Sequence, residues 1–477
     1  MELRKTTVRE AAEEVCSGRI SAYRLIEMTL NNCAVLNEGL NIFNSIAGID
    51  ALEQAKAVDR QIADGERPPL AGIPVAVKDD ICYGVLPTGF GSAAFREFFS
   101  PYTATVVERL MDKGAIVIGK TNLDEMSLGS TTLSSPSGPT LNPRDSDRLS
   151  GSAGAAAVAT GVCMVALESD SGGALRQGAS HCGVVGLRPT TGRVSRHGLN
   201  AFSSSFGQIG ITAASGENIN SVLKIISGFD ENDASTARPG DEPPLQGDVP
   251  DSMDLKIGYP AAAFDYLEPA LREVFEQARD EYAARGFRFI DLELNYLAEA
   301  LQAYYVIALA ETSSNHSRFD GIRFGETEKA GDLEALYSRS RSRILGREGR
   351  RSSVFGAFLL SKGNYDRYYR QALKVWSLVK REFAGALTKC DLLMLPAVKS
   401  LPRPVSGETE LLDSWTDDLY CAPVSLSGLP AISLPAGQAG SLPVGLQLVG
   451  PPFSEEMLAA VCDRVVPEIN IFPHGNV

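Results

Sequence analysis

Residues 149–190, LSGSAGAAAVATGVCMVALESDSGGALRQGASHCGVVGLRPT, constrain the fold more than any other part of the chain. A loop of small residues leads into an alanine-rich segment that predicts a closely packed helix ending near Gly161, and then into an apolar strand over 162–167. A glycine turn follows at Ser169, Asp170, Ser171, Gly172, Gly173 and Ala174. Glycine tolerates positive φ and puts no side chain in the way, so such a turn lets backbone N–H groups converge on a bound oxygen. That is the geometry of an oxyanion hole. The same glycines also suit a tight strand connection with no ligand.

Upstream, residues 68–77 form a continuous apolar run without alternation, which predicts a strand buried on both faces of a sheet. Lys78 stands at its carboxyl end, where ligands of open α/β sheets bind, although a lysine there is more often a solvated strand terminus. A helix from Thr103, a strand over 115–118 and a turn at Gly119 and Lys120 repeat the helix–strand unit that builds α/β sheets. The first 65 residues predict three helices, with Ser21 capping 22–36, Asp50 capping 51–63, and Gly65 as a stop. A short apolar segment lies at 41–46. After the glycine turn come an exposed Asp/Pro/Gly-rich connection over 228–251, a strand over 255–259 and a helix over 268–285 closed by Gly286. Residues 297–385 are mainly helical and carry aromatic and arginine clusters. Strands follow at 392–396, 431–434 and 442–450.

The composition removes several classes of function. A formal charge of -14 argues against broad contact with phosphate backbones. The arginines at 339, 341, 343, 347, 350 and 351 fit a solvated helix face better than a nucleic-acid patch. Eight cysteines without C-x-x-C spacing read as reduced, packed thiols, and four histidines without paired spacing leave little material for a zinc site or a histidine-based triad. Acid–base chemistry therefore falls to lysine, serine or carboxylates. No apolar run reaches membrane-spanning length and the N-terminus lacks a signal-peptide core, so a soluble cytoplasmic chain is expected.

Several motifs occur together and in order: AGIPVAVKD from Ala71, GKTNLDEM from Gly119, NPR from Asn142, GVVGLRPT from Gly183 and GLPAISLP from Gly428. On these the chain resembles the amidase signature family along nearly its whole length. TGRVSRHG from Thr191, RFDGIRFG from Arg318 and VGLQLVG from Val444 make it most similar to the A-type branch, the glutaminase subunits of glutamyl-tRNA(Gln) amidotransferases. The resemblance implies an α/β fold, a single domain over 1–477 with a central mixed β-sheet flanked by helices on both faces. Residues 1–65 would be a helical packing segment and 297–385 a helical region lining the pocket. It implies a carbon–nitrogen ligase complex that hydrolyses glutamine and passes ammonia to a B-type partner, the kinase/transamidase, which amidates Glu-tRNA(Gln), with a small C-type partner wrapping both. ATP and magnesium would belong to the B-type partner, because no nucleotide motif occurs here, and tRNA would be held only through that partner.

The family relay is a neutral lysine, a bridging serine and a nucleophilic serine; by motif these positions are Lys78, Ser150 and Ala174. Burial disfavours an ammonium, so such a lysine can take a proton through the bridging serine. Alanine has no nucleophile. Ser171, Gly172 and Gly173 match the oxyanion hole, and Ser171 is the obvious substitute hydroxyl. Other departures accompany Ala174: the family's GGSSGGS loop reads RLSGSAG over 148–154, Glu168 replaces a usual glycine, Gly178 a usual proline, and Gly207 a common aspartate. For the free amino acid, Asp418 matches the family aspartate; Arg351, or its neighbour Arg350, matches the arginine; and Tyr305 or Tyr304 matches the tyrosine. Three readings remain open: an amidotransferase component with an impaired amidase half, a non-catalytic pseudo-amidase that stabilises its partner, and a stand-alone amide hydrolase.

Overall fold

The computed structural model describes residues 2–238, 240, 255–325, 327–406 and 411–466. Of the connection expected over 228–251, residues 239 and 241–251 lie outside the described residues. Thirteen strands are present among the described residues: β1 (Phe43–Ile46), β2 (Pro74–Lys78), β3 (Ile116–Thr121), β4 (Leu141–Asn142), β5 (Asp145–Leu149), β6 (Val165–Asp170), β7 (Val185–Arg188), β8 (Gln208–Ala213), β9 (Lys256–Tyr259), β10 (Arg288–Asp291), β11 (Leu392–Pro396), β12 (Ala431–Ala439) and β13 (Leu442–Val449). Eleven join one sheet in the order β1-β3-β2-β6-β8-β7-β12-β13-β11-β9-β10, and β4 pairs with β5 apart from it. The sheet is mixed. β2 runs parallel to β3 and β6, while β8, β7, β12 and β13 pair antiparallel in succession.

Every residue of β2, β3, β6, β7, β8, β11 and β13 is buried, which is why β2 and β11 carry apolar runs rather than alternation. Helices flank the sheet, and the largest core cluster joins residues from Val8 to Val465. The alanine-rich helix Ala153–Thr160 is capped by the Ser152 hydroxyl and ends at Gly161 in the left-handed region. Its side chains are small because it lies buried along its length between β6 and the next helix, Ala174–Cys182.

Several expected boundaries move. Ser21 caps its helix, but the helix runs on to Leu40. Asp50 is not a cap; the helix is Gly48–Ala63 and Asp50 sits in its first turn, where a carboxylate favours the helix dipole. The apolar segment at 41–46 supplies β1, paired with β3. The strand expected over 68–77 begins only at Pro74, after a turn, and Gly119 and Lys120 lie within β3 rather than in a turn. Similarly, Ser169 and Asp170 belong to β6, so the glycine turn is only Ser171, Gly172 and Gly173.

Candidate active site

β2 and β6 are adjacent and parallel, with Val77 opposite Leu167, so both strands deliver their carboxyl ends to one place. A cavity of about 910 Å³ opens there. Lys78, Ser169, the turn Ser171, Gly172 and Gly173, Ala174, Tyr304, Tyr305, Arg351 and Asp418 all line it. Ala174 is the first residue of the helix Ala174–Cys182, whose N-terminal N–H groups favour negative charge. Gly173 has φ 132°, and a Cβ there would lie 2.2 Å from that of Cys421. A Cβ at Gly172 would lie 2.7 Å from both Asp418 Oδ2 and Tyr304 Oη. Only glycine fits at either position.

The hydrogen bonds of Lys78 go to a residue that sequence reasoning did not single out. Its Nζ donates to Ser169 Oγ at 2.8 Å and lies 3.7 Å from Asp80 Oδ2. Ser169 in turn donates to Asp80 Oδ2 at 2.5 Å, and Ser127 donates to the same oxygen at 2.6 Å. Ser150 does not line the cavity. It is fully buried and its hydroxyl has no partner among the described residues, so the expected Lys78–Ser150 hydrogen bond is not made. Continued by one residue, the register of β2 and β6 sets Lys78 across from Glu168, the residue before Ser169.

Asp418 is held from two sides, by Tyr305 Oη at 2.7 Å and Gln177 Nε2 at 2.6 Å. Burial pushes its carboxyl up to about 7 against the pull of these two hydrogen bonds. Arg351 reaches the cavity and pairs with Glu348 at 3.0 Å, whereas Arg350 is exposed and bonds the Gly346 carbonyl. Tyr304 is buried beside the turn, and only Tyr305 bonds Asp418.

Of the sequence departures near Ala174, Glu168, Gly178 and the loop residues Ser152 and Gly154 pack together, while Gly207 lies apart beside Ala201 and Ser203. Glu168 is buried, accepts hydrogen bonds from Ser152 and, at 2.6 Å, from Thr212, and burial raises its carboxyl. Its carboxylate occupies the space that a side chain at 154 would need, since a Cβ on Gly154 would lie 2.4 Å from Glu168 Cδ. Likewise a Cβ at Gly178 would lie 2.2 Å from that of Ser152. Behind the turn, Asp170 accepts from Arg176 at 3.0 and 3.1 Å and from Arg188 at 3.1 Å, and Arg176 continues to Gln447 and Ser425. All of these groups are buried. Burial opposes ionisation of Asp170, but the two guanidiniums outweigh it and hold its carboxyl below the usual range.

The profile of the amidase family matches residues 24–459. The chain belongs to the amidase family. Among its relatives, the glutamyl-tRNA(Gln) amidotransferase A subunit of Natranaerobius thermophilus is 38% identical over 483 residues, covering 100% of this chain and 98% of that protein. The protein of the same name from Carboxydothermus hydrogenoformans is 40% identical, with 97% and 96% covered. The crystal structure of the glutamyl-tRNA(Gln) amidotransferase A subunit from Thermotoga maritima superposes with a TM-score of 0.80 at 30% identity, over 98% of this chain and 96% of that one. No helix among the described residues is long and apolar enough to cross a membrane.

Proposed function

We propose that this chain is the A-type component of a tRNA-dependent amidotransferase that forms Gln-tRNA(Gln) from Glu-tRNA(Gln), and that its glutamine-hydrolysing half is impaired. One observation carries the reading: a site of amidase form, on a chain similar to A-type proteins from end to end, with a methyl group at 174 where the reaction needs a hydroxyl. In the family relay, the hydroxyl at this position would attack the carboxamide carbon, giving its proton through the bridging serine to lysine. The turn at 171–173 would hold the oxygen that becomes negative. Asp418 and Arg351 would pair with the α-amino and α-carboxylate groups of glutamine, with Tyr305 holding Asp418 in place. Without the nucleophile no acyl-enzyme forms, and losses of this kind amount to roughly a million-fold in turnover. The B-type and C-type partners would bring the tRNA and the ATP- and magnesium-dependent step, and the complex would work in the cytoplasm.

The test uses the chain co-purified with its B-type and C-type partners, supplied in turn with glutamine and with an ammonium salt. Amidation of Glu-tRNA(Gln) should proceed with ammonium, while glutamine hydrolysis should stay at or near background. Hydrolysis at ordinary enzymatic rates, abolished by S171A, would show that the nucleophile has moved and overturn the impaired reading. Active amide hydrolysis by the chain alone, with no partner retained at fixed stoichiometry, would favour a stand-alone hydrolase.

A further inference from the structure

Lys78 makes a different set of contacts from those a relay base needs. A base must present a lone pair to the hydroxyl it deprotonates. Here the Nζ donates to Ser169 Oγ at 2.8 Å, and Ser169 donates onward to Asp80 Oδ2 at 2.5 Å. The Lys78 nitrogen itself lies 3.7 Å from that carboxylate oxygen. Both side chains are almost wholly removed from water, where an ammonium and a carboxylate at this separation attract far more strongly than at a surface. Asp80 is also fixed from behind. Ser127 donates to it at 2.6 Å from a turn in which Met126 and Ser127 hold φ of 48° and 59°, a left-handed conformation that non-glycine residues adopt at a cost. Meanwhile the Ser150 hydroxyl is buried without a partner among the described residues.

We propose that Asp80 is a positioning residue that locks Lys78 into an ion pair with Ser169 as its bridge, so that the site is silenced at its base as well as at Ala174. The inference rests on reading this pocket as an amidase relay. It predicts that restoring the hydroxyl at 174 is insufficient. The titratable groups around this pair are the buried carboxyl of Glu168 on β6, which faces both Lys78 and Asp80, and Asp79 and the buried Lys120 of β3, which face Asp80 and pair with each other at 3.5 Å; of the carboxylates only Asp80 shares a hydrogen-bonded serine with Lys78. Replacing Asp80 by asparagine removes the charge but keeps an oxygen to accept from Ser127 and Ser169.

The experiment compares A174S, D80N and A174S/D80N in the purified complex, with glutamate release measured across pH and glutamine binding measured by calorimetry. A174S should remain near background. A174S/D80N should exceed it by at least about a hundred-fold, the size of a general-base contribution, and D80N alone should stay inactive for want of a nucleophile. In A174S/D80N the activity should also set in at lower pH than any trace seen in A174S, which a merely structural role for Asp80 would not produce. A174S/D80S, lacking the charge but retaining a hydroxyl, guards against misfolding of the asparagine variant and should behave alike. If A174S is as active as the double variants, or if both double variants bind glutamine without hydrolysing it, Asp80 is not the lock and the inference is wrong while the reading of the pocket stands. If no variant binds glutamine, the reading of the pocket fails and the inference with it.

Discussion

The contact between Ser152 and Gly178 allows a test of whether the departures around Ala174 are one coupled change. A methyl group at 178 would place its carbon 2.2 Å from Ser152 Cβ and 2.9 Å from Ser152 N, well inside van der Waals contact. Neither side can yield easily, because Ser152 caps the helix Ala153–Thr160 and Gly178 lies within the helix Ala174–Cys182. Overpacking of this kind costs about 1–3 kcal/mol, which is the expected loss for G178A. S152G should also destabilise, since it removes the cap on Ala155 N and one of the hydrogen bonds to buried Glu168; a hydrogen bond to a charged group contributes about 1.5–3 kcal/mol. In S152G/G178A the 2.2 Å contact is gone and only the 2.9 Å approach to the backbone N at 152 remains, so the double variant should be more stable than the sum of the single losses by about 1–2 kcal/mol. S152A is the control. It removes the same hydroxyl but keeps the offending Cβ, so S152A/G178A should be additive. Urea unfolding followed by circular dichroism gives the four-way comparison, provided the slope stays constant across the series. Additivity of S152G with G178A to within about 0.5 kcal/mol, or equal relief from S152A, would refute the steric argument.

Burial holds the Asp418 carboxyl at about 7 against an ordinary 3.8, with Asp417 and Asp170 adding to the effect, so its contribution to stability is present below the unfolded value and lost as pH rises through about 7. D418N should flatten that decline in a pH series of unfolding midpoints. Glutamine binding, which needs the carboxylate to meet an ammonium, should instead strengthen as pH rises through about 7, and D418N should abolish the rise; pH-independent binding in calorimetry would count against the assignment. R351A should weaken glutamine binding by roughly ten- to a hundred-fold, as expected for one charge-assisted hydrogen bond, while R350A leaves it unchanged; the reverse order would exchange their roles. D170N leaves Arg176 and Arg188 buried without their carboxylate and should cost about 3–5 kcal/mol in urea unfolding, a loss under about 1 kcal/mol being inconsistent with so buried a network.

What could be read from the sequence follows from where the controlling interactions lie. The strands β11, β12 and β13 and the alanine-rich helix announce themselves through local apolar runs and caps, and the pocket residues Lys78, Ala174 and Asp418 stand in motifs. β7 and β8 are short and have their partners 20 or more residues apart in sequence, with Val185 opposite Ala213 and Leu187 opposite Ile211, so no local pattern marks them. The same applies to the partners of Lys78. Ser169 and Asp80 come together where the carboxyl ends of β2 and β6 lie side by side, 89 residues apart in sequence. Glu168 reads in isolation as a charge misplaced in an apolar strand. Its reason is the empty space at Gly154 and the hydroxyls of Ser152 and Thr212, which arrive from a helix cap and from β8.

The placement of these groups separates what the fold requires from what hydrolysis requires, even though both run through the same few residues. Asp170 turns away from the cavity to hold Arg176 and Arg188, and through Arg176 and Gln447 it ties β6 to β13 and to the helix Cys421–Ser427. That network needs no hydroxyl at 174. Alanine is moreover a good first residue for the helix that begins there, because Gly173 makes the turn by its own φ and contributes no side-chain cap. Losing the nucleophile therefore leaves the turn, the buried arginines and the Asp418–Tyr305 contact undisturbed. On the proposed reading the pocket keeps the groups that would recognise a free amino acid, while position 174 lacks a hydroxyl and Lys78 is held by Ser169 and Asp80. On the proposed function such a chain would serve its complex through its fold and contacts, and the comparison of glutamine with ammonium as nitrogen source in the purified complex tests that.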